Sequence, residues 1–175
     1  GKNAFNLALY NNTFNTFDIE TGQYYRVKIA VSNPWKERVV LLYIEEPCIP
    51  TVSFTINGQS NNTLEIPSSE AFLLDFEETI SCTGEYYVSI LPSDAAWNGG
   101  SSENGMWLSE TLINQFGGKS AFNLKQFNNS FGTFDFQDGQ YYRIKVAVSE
   151  PWTERVVLLH IPAPCTPIVS YTLNG

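Results

Sequence analysis

A long internal repeat constrains the fold of this chain more than any other feature of its sequence. Residues 1–58 align without gaps to residues 118–175, and 38 of the 58 aligned positions are identical. Residues 59–117 have no second copy within the sequence. The offset of 117 residues is too long for a solenoid, whose repeats span about 20–45 residues. The sequence therefore predicts domains arranged in tandem, of which these 175 residues hold one and a half repeats.

Two proline-rich stretches mark the predicted domain boundaries. Residues 47–50 and 164–167 both have the pattern Pro-Cys-X-Pro, and two residues separate each from the end of the preceding apolar run. Because Pro is excluded from central strands, we interpret both stretches as linkers. Residues 1–46 are then the C-terminal part of a preceding repeat, and 51–163 form one complete repeat. Residues 168–175 are predicted to be the first strand of the next repeat.

Alternation of apolar and polar residues predicts an all-β fold. The predicted strands cover residues 51–56, 63–66, 72–80, 86–91, 131–136, 140–149 and 155–161. One short helix is predicted in the long connection 92–124, where Leu108, Leu112 and Phe116 are spaced four apart and Ser109 is a candidate N-cap. The sequence thus predicts a β-sandwich of about seven strands that carries one long insertion.

Composition excludes several classes of function. Ten Lys and Arg residues against 18 Asp and Glu give a net charge of -8, which disfavours nucleic acid and anionic membranes as partners. No apolar stretch is long enough to span a bilayer. His160 is the one histidine, so a zinc site or a histidine-based triad is not expected. We predict neither an enzyme nor a bound cofactor.

Each 117-residue unit holds two cysteine positions, represented here by Cys48, Cys82 and Cys165. An even number per unit suits one disulfide per repeat, and hence an oxidising compartment. Two pairings are open, Cys48 with Cys82 or Cys82 with Cys165. We favour the first, because the first strand of a sandwich often lies beside its second long strand. Cys165 would then pair with a cysteine of the next repeat.

The second half of the repeat resembles fibronectin type III domains. The run from Phe134 through Gly139 and Tyr142 to Val148 is similar to the penultimate strand of that family, and residues 17–31 repeat it with Tyr25. The resemblance implies a sandwich of fibronectin or immunoglobulin type. It also implies that Tyr25 and Tyr142 are tyrosine corners, whose hydroxyls bond to nearby backbone.

A finer resemblance covers the whole repeat. The segments 84–90, 93–98, 107–108, 139–148 and 151–152 look like repeat modules in large secreted surface proteins of Bacteroidetes. This resemblance implies a cell-surface adhesin or fibre that leaves the cell by the type IX secretion route.

Four tryptophans are candidates for binding. Trp35 and Trp152 occupy equivalent Pro-Trp corners, where each could stack on a sugar or anchor an interface, or instead cover the edge of its own domain. Trp97 and Trp107 flank the most polar stretch of the chain.

This polar stretch offers a possible glycan site. Asp94, Asn98 and Glu103 lie with the two tryptophans and could complete an aromatic and carboxylate surface. Calcium is also conceivable there, because carboxylates and amide oxygens are its ligands, although the usual calcium-loop motif is missing. The alternative is that the stretch only spaces successive repeats.

We therefore expect a structural or adhesive segment of a repetitive extracellular fibre or adhesin. The alternative is a carbohydrate-binding module of a secreted polysaccharide-degrading enzyme. Expected partners are other copies of the repeat, in the same chain or through strand addition between chains, and surface glycans.

Overall fold

The computed structural model describes residues 4–14, 18–99, 104–132 and 135–167. Within these residues the chain is mostly β, with several sheets. It divides into two compact units, residues 1–48 and residues 49–175. Three predictions lie outside the described residues: Glu103, the strand at 168–175 and part of the strand at 131–136.

The N-terminal unit is one helix followed by a two-stranded antiparallel hairpin. Its elements are α1 (Leu7–Phe14), β1 (Gln23–Val31) and β2 (Lys36–Ile44). The chain enters β1 through Gly22, whose φ is +74° and whose N–H donates to the carbonyl of Ile44 at 2.7 Å. A side chain would strain this left-handed backbone, so glycine suits the position.

The second unit holds eight strands and two helices in the residues described. They are β3 (Thr55–Ile56), β4 (Thr63–Glu65), β5 (Leu73–Asp75), β6 (Tyr86–Ser93), β7 (Asn104–Leu108), α2 (Glu110–Gln115), β8 (Phe122–Asn123), α3 (Leu124–Phe131), β9 (Gln140–Val148) and β10 (Thr153–Ile161). One sheet has the order β4-β10-β9-β6-β7 and the other β3-β5-β8. β10 pairs antiparallel with β9 and parallel with β4.

A single cluster of buried apolar side chains joins both sheets of this unit. Ile144 and Leu159 contribute from the five-stranded sheet, and Phe72, Leu74 and Phe76 from around β5, all with 0% exposure. Residues 72–76 alternate between the core and solvent, as a half-buried strand should. Burial of these side chains is the main contribution that holds the unit together.

The helix predicted behind Ser109 is present as α2. The Ser109 hydroxyl accepts from the Leu112 N–H at 3.4 Å, which caps the helix. The number of helices in the prediction is wrong, however, because α1 and α3 also form.

Helix α3 also corrects the strand predicted at 131–136, since residue 131 ends the helix and the described residues after it are not in a strand. Asn123 caps α3 by accepting from the Gln126 N–H at 3.0 Å. Leu124, Phe127 and Phe131 have the i, i+3, i+7 spacing that is typical of one helix face.

The strand predicted at 72–80 is shortened to β5 by a local turn. The Asp75 carboxylate accepts from the Glu77 N–H at 3.1 Å, and such a side-chain bond competes with the strand ladder. The Phe76 N–H donates to the carbonyl of Lys119 at 2.9 Å, outside the sheet. The first predicted strand, 51–56, likewise retains β3 and an isolated antiparallel bridge between Thr51 and Ile80.

Aligned leucines in the two hairpins allow a test of the core. Leu159 is fully buried, whereas Leu42 at the aligned position is 37% exposed. We expect Leu159→Ala to lower the free energy of unfolding of the second unit by about 2–5 kcal/mol, because it leaves a cavity. Leu42→Ala is expected to cost about 1 kcal/mol or less, because part of that side chain already contacts water. Urea unfolding followed by tryptophan fluorescence measures both, and equal losses would contradict this assignment of the core.

Candidate functional site

Three aromatic side chains form one exposed cluster in the second unit. The aromatic cluster consists of Tyr87 on β6, Trp107 on β7 and Trp152 in the turn before β10. Ring centroids lie 5.5 Å apart for Tyr87 and Trp107, 5.8 Å for Tyr87 and Trp152, and 6.0 Å for the two tryptophans. The two indoles are 41% and 51% exposed. The aromatic cluster therefore exposes several ring faces to solvent, and the rings are tilted relative to one another.

The sheet register brings these residues together. Tyr87 lies directly opposite Trp107 in the β6–β7 pair and opposite Ala147 of β9 on its other side. Gly105 makes room for the tyrosine, since a Cβ at that position would meet the Tyr87 hydroxyl at 2.1 Å. A larger residue on β7 would displace the Tyr87 ring.

One hydrogen bond and one ion pair fix the orientation of Trp152. Its indole N–H donates to Glu154 Oε2 at 2.7 Å, and Lys145 Nζ lies 3.4 Å from the same oxygen. The single donor of the indole is thus satisfied within the protein, which leaves the ring faces for contact. Aromatic faces held in this way suit stacking on a sugar ring or burial under a protein partner.

The N-terminal unit contains only one part of this arrangement. Trp35 donates to Glu37 Oε2 at 3.3 Å, Lys28 lies 3.5 Å from the same oxygen, and the indole is 66% exposed. Tyr87 and Trp107 have no aligned residues in positions 1–48, because they belong to the unrepeated part of the sequence.

The Asp94 loop is a second, separate feature. The Asp94 carboxylate accepts from the N–H groups of Ala96 at 2.8 Å and Asn98 at 2.9 Å, and from the Asn98 side-chain amide at 3.1 Å. The hydrogen bonds from Asn98 hold the pKa of Asp94 below its usual 3.8. This carboxylate closes its own loop, in which Trp97 adopts a φ of +65°.

The predicted tryptophan and carboxylate site is therefore divided in the structure. Trp107 meets Trp152 and Tyr87, whereas Asp94 meets Asn98, and among the described residues no ring contact joins Trp97 to the aromatic cluster. Sequence reasoning missed Tyr87. The alternation that buries Tyr86 could have indicated it, since the next residue must point away from the core.

Tyr25 and Tyr142 occupy matching positions in the two hairpins. The Tyr142 hydroxyl donates to the carbonyl of Asp135 at 3.1 Å and accepts from the Gln137 N–H at 2.8 Å. The Tyr25 hydroxyl donates to the carbonyl of Asp18 at 3.2 Å and accepts from the Glu20 N–H at 2.7 Å. Burial raises the pKa of Tyr142, so the phenol stays protonated and keeps its donor role.

Cys48 and Cys82 form a disulfide, and Cys165 is a free, exposed thiol. This is the first of the two pairings that the sequence leaves open. Cys48 directly precedes the second unit, and Cys82 lies between β5 and β6.

The described residues contain no group of three or more His, Cys, Asp or Glu side chains placed to hold a metal ion. His160 instead contacts Glu65 at 2.9 Å and stacks on Tyr141. No helix in the described part of the chain is long and apolar enough to cross a membrane.

Comparisons with family models, with curated proteins and with solved structures give no match for this chain.

The disulfide allows a direct stability test. It closes a loop of 35 residues, for which the chain-entropy model gives about 3–4 kcal/mol. We expect the double variant Cys48→Ala/Cys82→Ala to lose stability of that size in urea unfolding, and reduction of the parent protein to reproduce the loss. Cys165→Ala is the matched control and is expected to unfold like the parent, because that thiol has no disulfide partner. A loss in the control as large as in the double variant would contradict the assignment.

Proposed function

We propose that this chain is a segment of a repetitive extracellular protein, built from tandem β-sandwiches of fibronectin or immunoglobulin type, with a structural or adhesive role. One observation carries the proposal. The two copies of the repeated sequence form the same hairpin, in the same register and with the same internal bonds. A unit that folds identically at each recurrence is what a modular array requires.

The correspondence extends to individual side chains. The ion pair of Lys28 with Glu37 recurs as Lys145 with Glu154. Gly22 and Gly139 both have positive φ and donate to the end of the second strand. The same bonds thus recur in both copies of the repeated sequence, which supports the proposal of a modular array.

The disulfide supports an oxidising compartment, because such bonds persist mainly outside the reducing cytosol. We propose a location at the cell surface or in the extracellular medium, reached by the type IX secretion route that the resemblance to Bacteroidetes surface proteins implies. The proposed role is mechanical and requires no catalysis or cofactor. Its partners are other copies of the repeat.

Electron microscopy tests the structural role. Antibodies raised against residues 49–165 should label surface fibres of the source cells at regular intervals. Labelling of isolated, separate particles without contacts between repeats would overturn the proposal.

The aromatic cluster favours a second candidate function, carbohydrate binding. Two half-exposed indoles beside a tyrosine provide the apolar faces on which sugar rings stack. The role would be that of a binding module, either in an adhesin or in a secreted polysaccharide-degrading enzyme.

A glycan array with the full chain tests this candidate. We expect Trp107→Ala and Trp152→Ala each to reduce binding about tenfold or more, as removal of a central aromatic contact does. Trp35→Ala is the matched control, because Trp35 has the same Pro-Trp and Glu setting as Trp152 but belongs to a unit without Tyr87 and Trp107. Absence of binding, or equal effects of Trp35→Ala and Trp152→Ala, would exclude the aromatic cluster as a glycan site.

A further inference from the structure

The hairpin of the N-terminal unit exposes an apolar face that the second hairpin buries. The hairpin face consists of Ile29, Val31, Val40 and Leu42, which are 72%, 58%, 51% and 37% exposed. The aligned residues of β9 and β10 are at most 1% exposed, and they are Val146, Val148, Val157 and Leu159. Nearly identical sequences in the same register thus differ only in what covers them.

In the second unit the cover is residues 49–117, which we call the head segment. Its strand β6 pairs with the free edge of β9, and its strand β4 pairs with the free edge of β10. β1 and β2, by contrast, form a sheet of two strands in the part of the chain described. A two-stranded hairpin by itself is at best marginally stable in water.

A cleft in the N-terminal unit borders the hairpin face. It has a volume of about 450 Å³. Its apolar walls include Leu7, Ile19, Tyr25 and Leu42, and Arg26 and Lys28 also line it. The four apolar positions align with Leu124, Phe136, Tyr142 and Leu159.

The corresponding place in the second unit holds Phe72 of the head segment. Phe72 is fully buried, and its ring meets Phe136 edge-on at 4.9 Å. Its carbonyl accepts from the Leu124 N–H at 2.9 Å. The cleft in the N-terminal unit therefore lies where Phe72 lies in the second unit. A phenylalanine equivalent to Phe72 would contact its apolar walls.

The N-terminal hairpin also retains an arginine at the position that binds the head segment in the second unit. Arg155 at the start of β10 donates to the carbonyls of Phe54 and Ser60 and lies 4.8 Å from the Phe54 ring. Arg38 occupies the aligned position of β2 and is exposed. The N-terminal hairpin thus keeps both the apolar face and the charged group with which a head segment is bound.

We propose that the hairpin face is the docking surface for a second head segment, similar in sequence to residues 49–117, that directly precedes the hairpin in the same polypeptide. The inference rests on the proposed tandem-repeat function. In the second unit the head segment joins its hairpin through Gly117 and Gly118, and Gly1 aligns with Gly118.

The head segment present in this sequence is not the occupant that we propose, because it already covers β9 and β10. Other molecules with the same 175 residues cannot supply a head segment for every hairpin either. Each copy carries the repeated hairpin sequence twice and the unrepeated residues 59–117 once, so exchange between copies leaves half of the hairpins uncovered.

A lengthened chain tests the proposal. A copy of residues 47–117 is placed directly before Gly1, so that the new junction reproduces Gly117–Gly118 and the added copy keeps its own disulfide pair. Ile29→Cys is introduced into both the parent and the lengthened chain, with Cys165→Ser to remove the free thiol. We expect thiol labelling at position 29 to be at least ~100-fold slower in the lengthened chain, because a buried thiol reacts only on opening.

Gln23→Cys is the matched control. Gln23 and its aligned residue Gln140 are both exposed, so its labelling should be equally fast in both chains. Phe72→Ala in the added copy alone is expected to speed labelling at position 29 again, since it removes the side chain that fills the cleft and leaves a cavity. Equal labelling of Ile29→Cys in the parent and lengthened chains would overturn the proposal.

Two other outcomes separate this inference from its alternatives. Labelling of the parent that slows with rising protein concentration would identify a second copy as the occupant and overturn the proposal. The labelling does not depend on fibre formation. Protection at position 29 without surface fibres would therefore support the docking surface while overturning the structural role, and the reverse result would overturn the docking surface alone.

Discussion

Coverage of the β9–β10 hairpin by the residues before it is the interaction on which the rest of the second unit depends. The hairpin is bordered on one edge by β6 and on the other by β4, and one of its faces lies on the common core. Hairpin contacts are local in sequence, whereas both bordering strands come from distant positions and therefore carry most of the loop-closure cost of folding. The same hairpin without this cover, in residues 1–48, keeps its register and turn but leaves its apolar side chains in water. Local sequence thus specifies the hairpin, and burial by the head segment makes it part of a domain.

Much of the fold could be predicted from sequence wherever the pattern was long and regular. β9 and β10 each span nine residues of alternating or continuous apolar character, and their predicted positions agree with the structure within two residues. The predictions failed where a local side-chain bond competed with the pattern. Asp75 ends β5 through a turn that no periodicity reveals, and Asn123 begins a helix in a stretch rich in polar residues. Strand β7 was missed because it contains Gly105 and borders a polar loop, both typical of turns.

The candidate sites differ in the same way, by whether their contacts join residues near in sequence or residues on different strands. The bonds of Asp94 to Asn98 join residues four apart, a proximity that spacing along the chain can indicate. The contact of Trp107 with Trp152 joins residues 45 positions apart and depends on the order of β7, β6 and β9 across the sheet. Only the register of these strands places Tyr87 between them. A binding surface built across strands cannot be derived from spacing along the chain, because spacing does not give strand order.

The disulfide has a further consequence for a chain under tension. A force that pulls on the two ends of the polypeptide reaches Cys48 and passes through the covalent bond to Cys82. The 33 residues from 49 to 81, which include β3, β4 and β5, then lie outside the path of the load. They cannot be drawn out while the bond is intact, which shortens the maximum extension by about 110 Å at roughly 3.4 Å per residue. The bond therefore acts as a limit on stretch, and its reduction would lengthen the second unit under load.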